Sequence, residues 1–146
     1  MEHAHPEVLK IINKNITFQQ LIQASKNAKE YGQKVASNWM IGLPGDNISR
    51  AIYSYKRAKL ILKSGLNNTI NTSIFGPGPG TKPFNSPEKY GIEIIRDITN
   101  LYKKTGFPTI RYKNFNEQEI WAIYLLFLNL SSPTISEKIS ELINKK

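Results

Sequence analysis

The stretch Ile120-Trp-Ala-Ile-Tyr-Leu-Leu-Phe-Leu-Asn-Leu130 is apolar almost without a break. Wound at 3.6 residues per turn, such a segment has no side suited to water. It belongs at the centre of a bundle or between subunits, and a chain of 146 residues can barely enclose it alone. Asn116-x-x-Glu119 has the spacing of a capping box and places the start of this helix at Glu117. Glu117 and Glu119 are explained by the positive end of the helix dipole rather than by acid–base chemistry.

Helical signals recur elsewhere. Pro6 suits the first turn of a short helix over 3–13. Thr17-x-x-Gln20 is a second capping box, and Phe18, Leu21, Ile22, Ala28, Val35, Ala36 and Trp39 continue at helical spacing to about residue 40. Gly42-Leu-Pro-Gly45 stops that helix, and Asp46 or Asn47 can cap the next, which ends at Gly65. The run Gly76-Pro-Gly-Pro-Gly80 and its Asn-rich approach predict one long loop over 65–86. Ser86-Pro87-Glu88 starts a helix that carries Ile94, Ile95, Ile98, Leu101 and Tyr102 inward, and Ser132-Pro133 starts a last one. Thr109–Phe115 is extended or a linker, and no strand partner for it is evident. The expectation is an all-α fold of about six helices. An N-terminal helical arm over 1–45 precedes a helical bundle over 46–146.

Charge divides the chain unevenly. Residues 26–113 hold fifteen Lys/Arg against five Asp/Glu, whereas residues 114–146 hold three lysines and four glutamates. With a net charge of +9, the basic part favours a phosphate-rich partner, nucleic acid before an anionic membrane surface. Lys26, Lys29 and Lys34, with Arg50, Lys56, Arg57, Lys59 and Lys63, are the candidate DNA-binding residues, the arginines forking to phosphates and the lysines acting as point charges. The same run also reads as a solvated face. Trp121, Tyr124, Leu125 and Phe127 are candidates for packing or subunit contact.

Catalytic motifs are not evident, and no enzymatic role is expected. There is no cysteine, only two aspartates, and a His3-x-His5 pair near the N-terminus without a third ligand. GPGPGTK (Gly76–Lys82) lacks a Gly-Lys-Ser/Thr ending, and its prolines remove the donors a phosphate loop needs. Neither cofactor nor metal is expected. The first residues lack the form of a signal peptide, and no window is apolar enough to span a membrane.

Two stretches carry a resemblance. Arg50-Ala-Ile-Tyr53 follows a Gly-Asp-Asn turn and leads into a basic helix ending at Gly65, and the tyrosine-bearing apolar helix is closed by Ser-Ser-Pro133. In these the chain resembles the major coat proteins of filamentous and rod-shaped archaeal viruses. The resemblance implies a capsid subunit of a helical virion that binds double-stranded DNA through phosphates, independently of sequence. It implies a dimer with itself or a paralogous coat subunit, a membrane envelope in some members, and a place in the virion after assembly in the host cytoplasm. A DNA-binding transcriptional regulator is the alternative, and a basic toxin-like nuclease domain the less favoured one.

Overall fold

The computed structural model describes residues 1–96 and 107–131. Its elements are α1 (Pro6–Ile11), α2 (Phe18–Glu30), β1 (Ala36–Ile41), α3 (Ile48–Lys63), β2 (Thr69–Ile74) and α4 (Lys82–Asn85), then a 3-10 turn (Pro87–Tyr90), β3 (Glu93–Ile94), β4 (Ile110–Arg111) and α5 (Glu117–Ser131). The fold is therefore mixed α/β, and the all-α expectation is corrected. β1 and β2 pair in parallel from Ala36↔Thr69 to Ile41↔Ile74, with α3 as the crossover between them. The strand from the expected arm thus joins a strand from the expected bundle.

Each local correction has a physical reason. Both predicted capping boxes form: Thr17 and Gln20 satisfy each other's amides at 3.2 and 2.8 Å, and Asn116 and Glu119 do so at 2.9 and 2.8 Å. The helix begun at Thr17 nevertheless ends at Glu30, because Gly32 takes φ +70° and turns the chain out. Ser37, Trp39 and Ile41 then face inward while Ala36 and Asn38 face out, an alternation of two rather than 3.6. Within the expected long loop, Thr69–Ile74 forms β2 and Lys82–Asn85 forms α4. The helix expected after Ser86 is one 3-10 turn, after which Glu93–Ile94 pairs antiparallel with Ile110–Arg111. Arg111 forks onto Glu93 at 2.6 and 2.8 Å and holds that carboxyl below its usual pKa, but both groups are exposed and the pair adds little stability. Ile98, Leu101, Tyr102 and the helix expected from Pro133 lie outside the described residues.

The core lies on one face of the parallel pair. Trp39, Ile41 and Ile70 from the strands meet Ala51, Ala58 and Ile61 from α3, and Ile120, Ile123 and Phe127 from α5. A buried polar chain ties α2 to the sheet: Ser25 Oγ donates to Asn67 Oδ1 at 3.1 Å, and Asn67 Nδ2 and Trp39 Nε1 both donate to Ser37 Oγ. These groups are mutually satisfied, so their burial does not weaken the packing. From the apolar run Ile120–Leu130, Ile120, Ile123 and Phe127 are thus buried in this core, whereas Leu125, Leu126 and Leu128 remain exposed.

Candidate ligand cleft at the strand ends

At its carboxyl end β1 runs into Gly42-Leu43-Pro44-Gly45, and β2 runs into Phe75 and Gly76. The ladder extends one step beyond the strands, where the Phe75 amide donates to Ile41 O at 2.8 Å. On the other side of β1 the N-terminal segment lies alongside, with the Met40 amide donating to Glu2 O at 2.8 Å. A cleft of about 650 Å³ opens among these pieces. Met40, Leu43 and Pro44 supply its β1 wall, and Ile74, Phe75 and Gly76 its β2 wall. Glu2 and Ile11–Asn13 close one side, while Lys82, Pro83 and Tyr90 close the other. The lining is largely apolar. Among the described residues its charged side chains are Glu2, which pairs with Lys14 at 3.5 Å, and Lys82. That size and composition are those of a small-molecule pocket.

The turn behind the cleft is held rigidly. Asp46, 6 % exposed, accepts from the Gly42 amide at 3.1 Å and the Asn47 amide at 2.9 Å. His3 is 1 % exposed and turns Nε2 toward Asp46 Oδ1 at 3.4 Å, while its Nδ1 accepts from the His5 amide at 3.1 Å. Accepting at Nδ1 puts the proton of a neutral ring on Nε2, the side facing the carboxylate. Ser54 Oγ accepts from the Ala4 amide at 2.8 Å, which anchors the segment to α3. Burial, and then the charge of Arg50, pushes the His5 pKa down. Tyr112 donates its hydroxyl to Gly42 O at 2.9 Å, and burial, reinforced by Asp46, pushes its pKa up. His3 is therefore buried close to Asp46, although its Nε2 makes no hydrogen bond there. Nothing local in the sequence announced that approach, because the two residues lie in separate segments of the chain. Among the described residues no group of three or more His, Cys, Asp or Glu can hold a metal, and no helix is long and apolar enough to cross a membrane.

The candidate DNA-binding residues are scattered over other parts of the surface. Lys26 and Lys29 lie on α2, Lys34 follows it, and Arg50, Lys56, Arg57, Lys59 and Lys63 lie on α3. The cleft lining includes none of them. Arg50 caps the turn by donating to Gly45 O, and Arg57 sits 3.2 Å above the Tyr53 ring and 5.7 Å from that of Phe18. Lys59 stands 6.0 Å from the Tyr55 ring. Of the candidate contact residues, Phe127 is 1 % exposed and packs against Trp39 and Tyr55. Trp121 stacks on Phe107 at 4.6 Å and adjoins Tyr124, and Leu125 is exposed.

No protein-family model matches the chain. It is similar, at 31 % identity over 122 residues, to an uncharacterized methyltransferase of Pyrococcus horikoshii. The match takes in 82 % of this chain, and the chain spans 25 % of the relative's length. This similarity, together with the α/β fold, overturns the viral-coat resemblance and the DNA-coating role inferred from it. The expectation of a non-enzymatic chain likewise stands at odds with a relative described as an enzyme.

Proposed function

We propose that the cleft at the strand ends is ligand-binding surface of a methyl-transfer enzyme, shaped by this chain's β1–α3–β2 unit. The observation that supports the reading is positional. Ligands of α/β proteins bind at the carboxyl ends of parallel strands, where loops converge and main-chain groups end. The cleft occupies that place, in a segment similar to a protein described as a methyltransferase.

S-adenosylmethionine, the general biological methyl donor, brings an activated methyl group on a sulfonium when bound. The chemistry of the lining fits it. Leu43, Ile74 and Phe75 offer apolar surface for an adenine ring. The Glu2 carboxylate would accept from ribose hydroxyls, and Lys82 would meet the donor's own carboxylate. Buried Asp46, accepting from the Gly42 and Asn47 amides, keeps the Gly42–Gly45 turn in place, so that wall is set before any ligand arrives.

Calorimetric titration with S-adenosylhomocysteine tests the reading. Binding is expected, and Phe75→Ala and Glu2→Gln are each expected to weaken it about tenfold, while Lys63→Ala leaves it unchanged. An absence of binding, or equal affinity in all four proteins, rejects it.

A further inference from the structure

One side of the cleft is made by Lys82, Pro83 and Tyr90, and all three belong to a single stretch, residues 78–91. The stretch has sharp limits. Pro77 before it is fully buried and Ile92 after it is 5 % exposed, whereas no residue between them is buried. Phe75, just upstream, is still in the sheet, its amide donating to Ile41 O at 2.8 Å.

Among the described residues, the backbone hydrogen bonds of this stretch close on itself. Phe84 and Asn85 donate to Thr81 O, Ser86 to Lys82 O and Gly91 to Glu88 O, and the Ile92 amide turns back to Pro87 O. Its side-chain bond is as local: Thr81 Oγ1 donates to Gly78 O at 2.7 Å. α4 and the 3-10 turn pack on each other, and the turn packs on β3. The stretch is therefore tied together internally and held to the core at its two ends. Swinging it outward breaks none of its hydrogen bonds and takes none of its own side chains out of a buried position, so it belongs to the low-stability end of the fold. Each end also carries a glycine, Gly78 and Gly91, the latter at φ +66°. Lids over active sites turn on such positions.

We infer that residues 78–91 are a lid on the cleft, moving as one unit about Gly78 and Gly91 between an open form that admits a ligand and the closed form of this structure. Lys82 is the latch. Its ammonium has no ion-pair partner among the described residues, and closure brings it to a carboxylate of the bound ligand. The latch rests on the methyl-transfer reading, in which that carboxylate is the donor's own; the lid does not.

Amide hydrogen exchange of the full chain, followed residue by residue by magnetic resonance, tests both. Without ligand, the amides of Phe84, Ser86, Gly91 and Ile92 are expected to share one protection, about a hundredfold below that of Phe75. Gly91→Ala strains the closed form, since its φ disfavours a side chain while the nearest atom to the added Cβ, Tyr112 Cδ1, is 4.0 Å away. Lid protection should fall about tenfold further in that variant, with Phe75 unchanged. Lid amides as protected as Phe75, unequal protection among them, or an equal loss at Phe75 in Gly91→Ala overturns the lid. S-adenosylhomocysteine at saturation should raise lid protection about tenfold in the wild type and not in Lys82→Ala. Binding that leaves the wild-type lid unprotected, or protects both proteins equally, overturns the latch. If S-adenosylhomocysteine fails to bind, the methyl-transfer reading and the latch fall together, while the ligand-free exchange still decides the lid.

Discussion

Phe127→Ala probes whether the apolar helix faces its own sheet or a second subunit. The ring is 1 % exposed, centred 6.0 Å from Trp39 and 5.5 Å edge-on from Tyr55. Truncating a fully buried phenylalanine costs about 3–5 kcal/mol, from lost transfer energy plus the cavity left behind. Two aromatic contacts disappear with it, which places the expected loss near 4 kcal/mol. With a urea dependence of about 2 kcal/mol per molar for a chain of this size, the unfolding midpoint falls by about 2 M. Tryptophan fluorescence follows it directly, because Trp39 lies against the removed ring. Leu125→Ala is the comparison: this side chain is 43 % exposed, and about 1 kcal/mol or less is expected. The reasoning is refuted if Phe127→Ala shifts the midpoint by no more than Leu125→Ala does. A wild-type midpoint that rises with protein concentration would refute it too, since burial would then depend on association.

Two further outcomes follow from the turn behind the cleft. Tyr112→Phe loses the bond to Gly42 O and costs about 1 kcal/mol at neutral pH. The folded tyrosine keeps its proton above the ordinary value of 10.0, so the unfolded state releases a proton first and wild-type stability declines as pH rises past that value. The decline should be shallower in the phenylalanine variant, and identical slopes in urea titrations across that range count against the assignment. Gly45→Ala combines a φ of +79° with a Cβ that would clash with Ile11 Cδ1. The backbone part costs about 1–2 kcal/mol and survives in a Gly45→Ala, Ile11→Ala double variant, whereas the steric part is relieved. Complete recovery in the double variant would show that the backbone conformation carries no cost.

Much of the local structure was legible because local chemistry writes it. Thr17/Gln20 and Asn116/Glu119 specify helix starts through side chains three residues apart, and Asn47 caps α3 through the Arg50 amide as expected. The strands were hidden for the opposite reason. Asn38, Asn71, Thr69 and Ser73 occupy the outward positions of β1 and β2, so the first segment read as the end of a helix and the second as part of a loop. Gly32 was the available warning that the helix from Thr17 could not reach residue 40.

Charge misdirected the functional reading. Net charge speaks to solubility and to association with polyanions, and it carries no information about fold. Arg50 and Arg57, counted as phosphate ligands, also have work within the fold: Arg50 donates to Gly45 O and Arg57 covers Tyr53. Neither contact is visible without knowing where α3 lies against the turn and how its own rings are turned.

The sequence alone determined where α2, α3 and α5 begin and that Gly42–Asn47 is a turn, since capping and chain-reversing residues act over a few positions. Tertiary structure decided the rest. Pairing β1 with β2 joins residues thirty-three apart in register, and the Ala4 amide bond to Ser54 Oγ joins the N-terminal segment to α3. A parallel pair requires a long crossover, so its two strands carry no turn between them to signal their partnership. The cleft exists only because that pairing brings two strand ends and the N-terminal segment to one place.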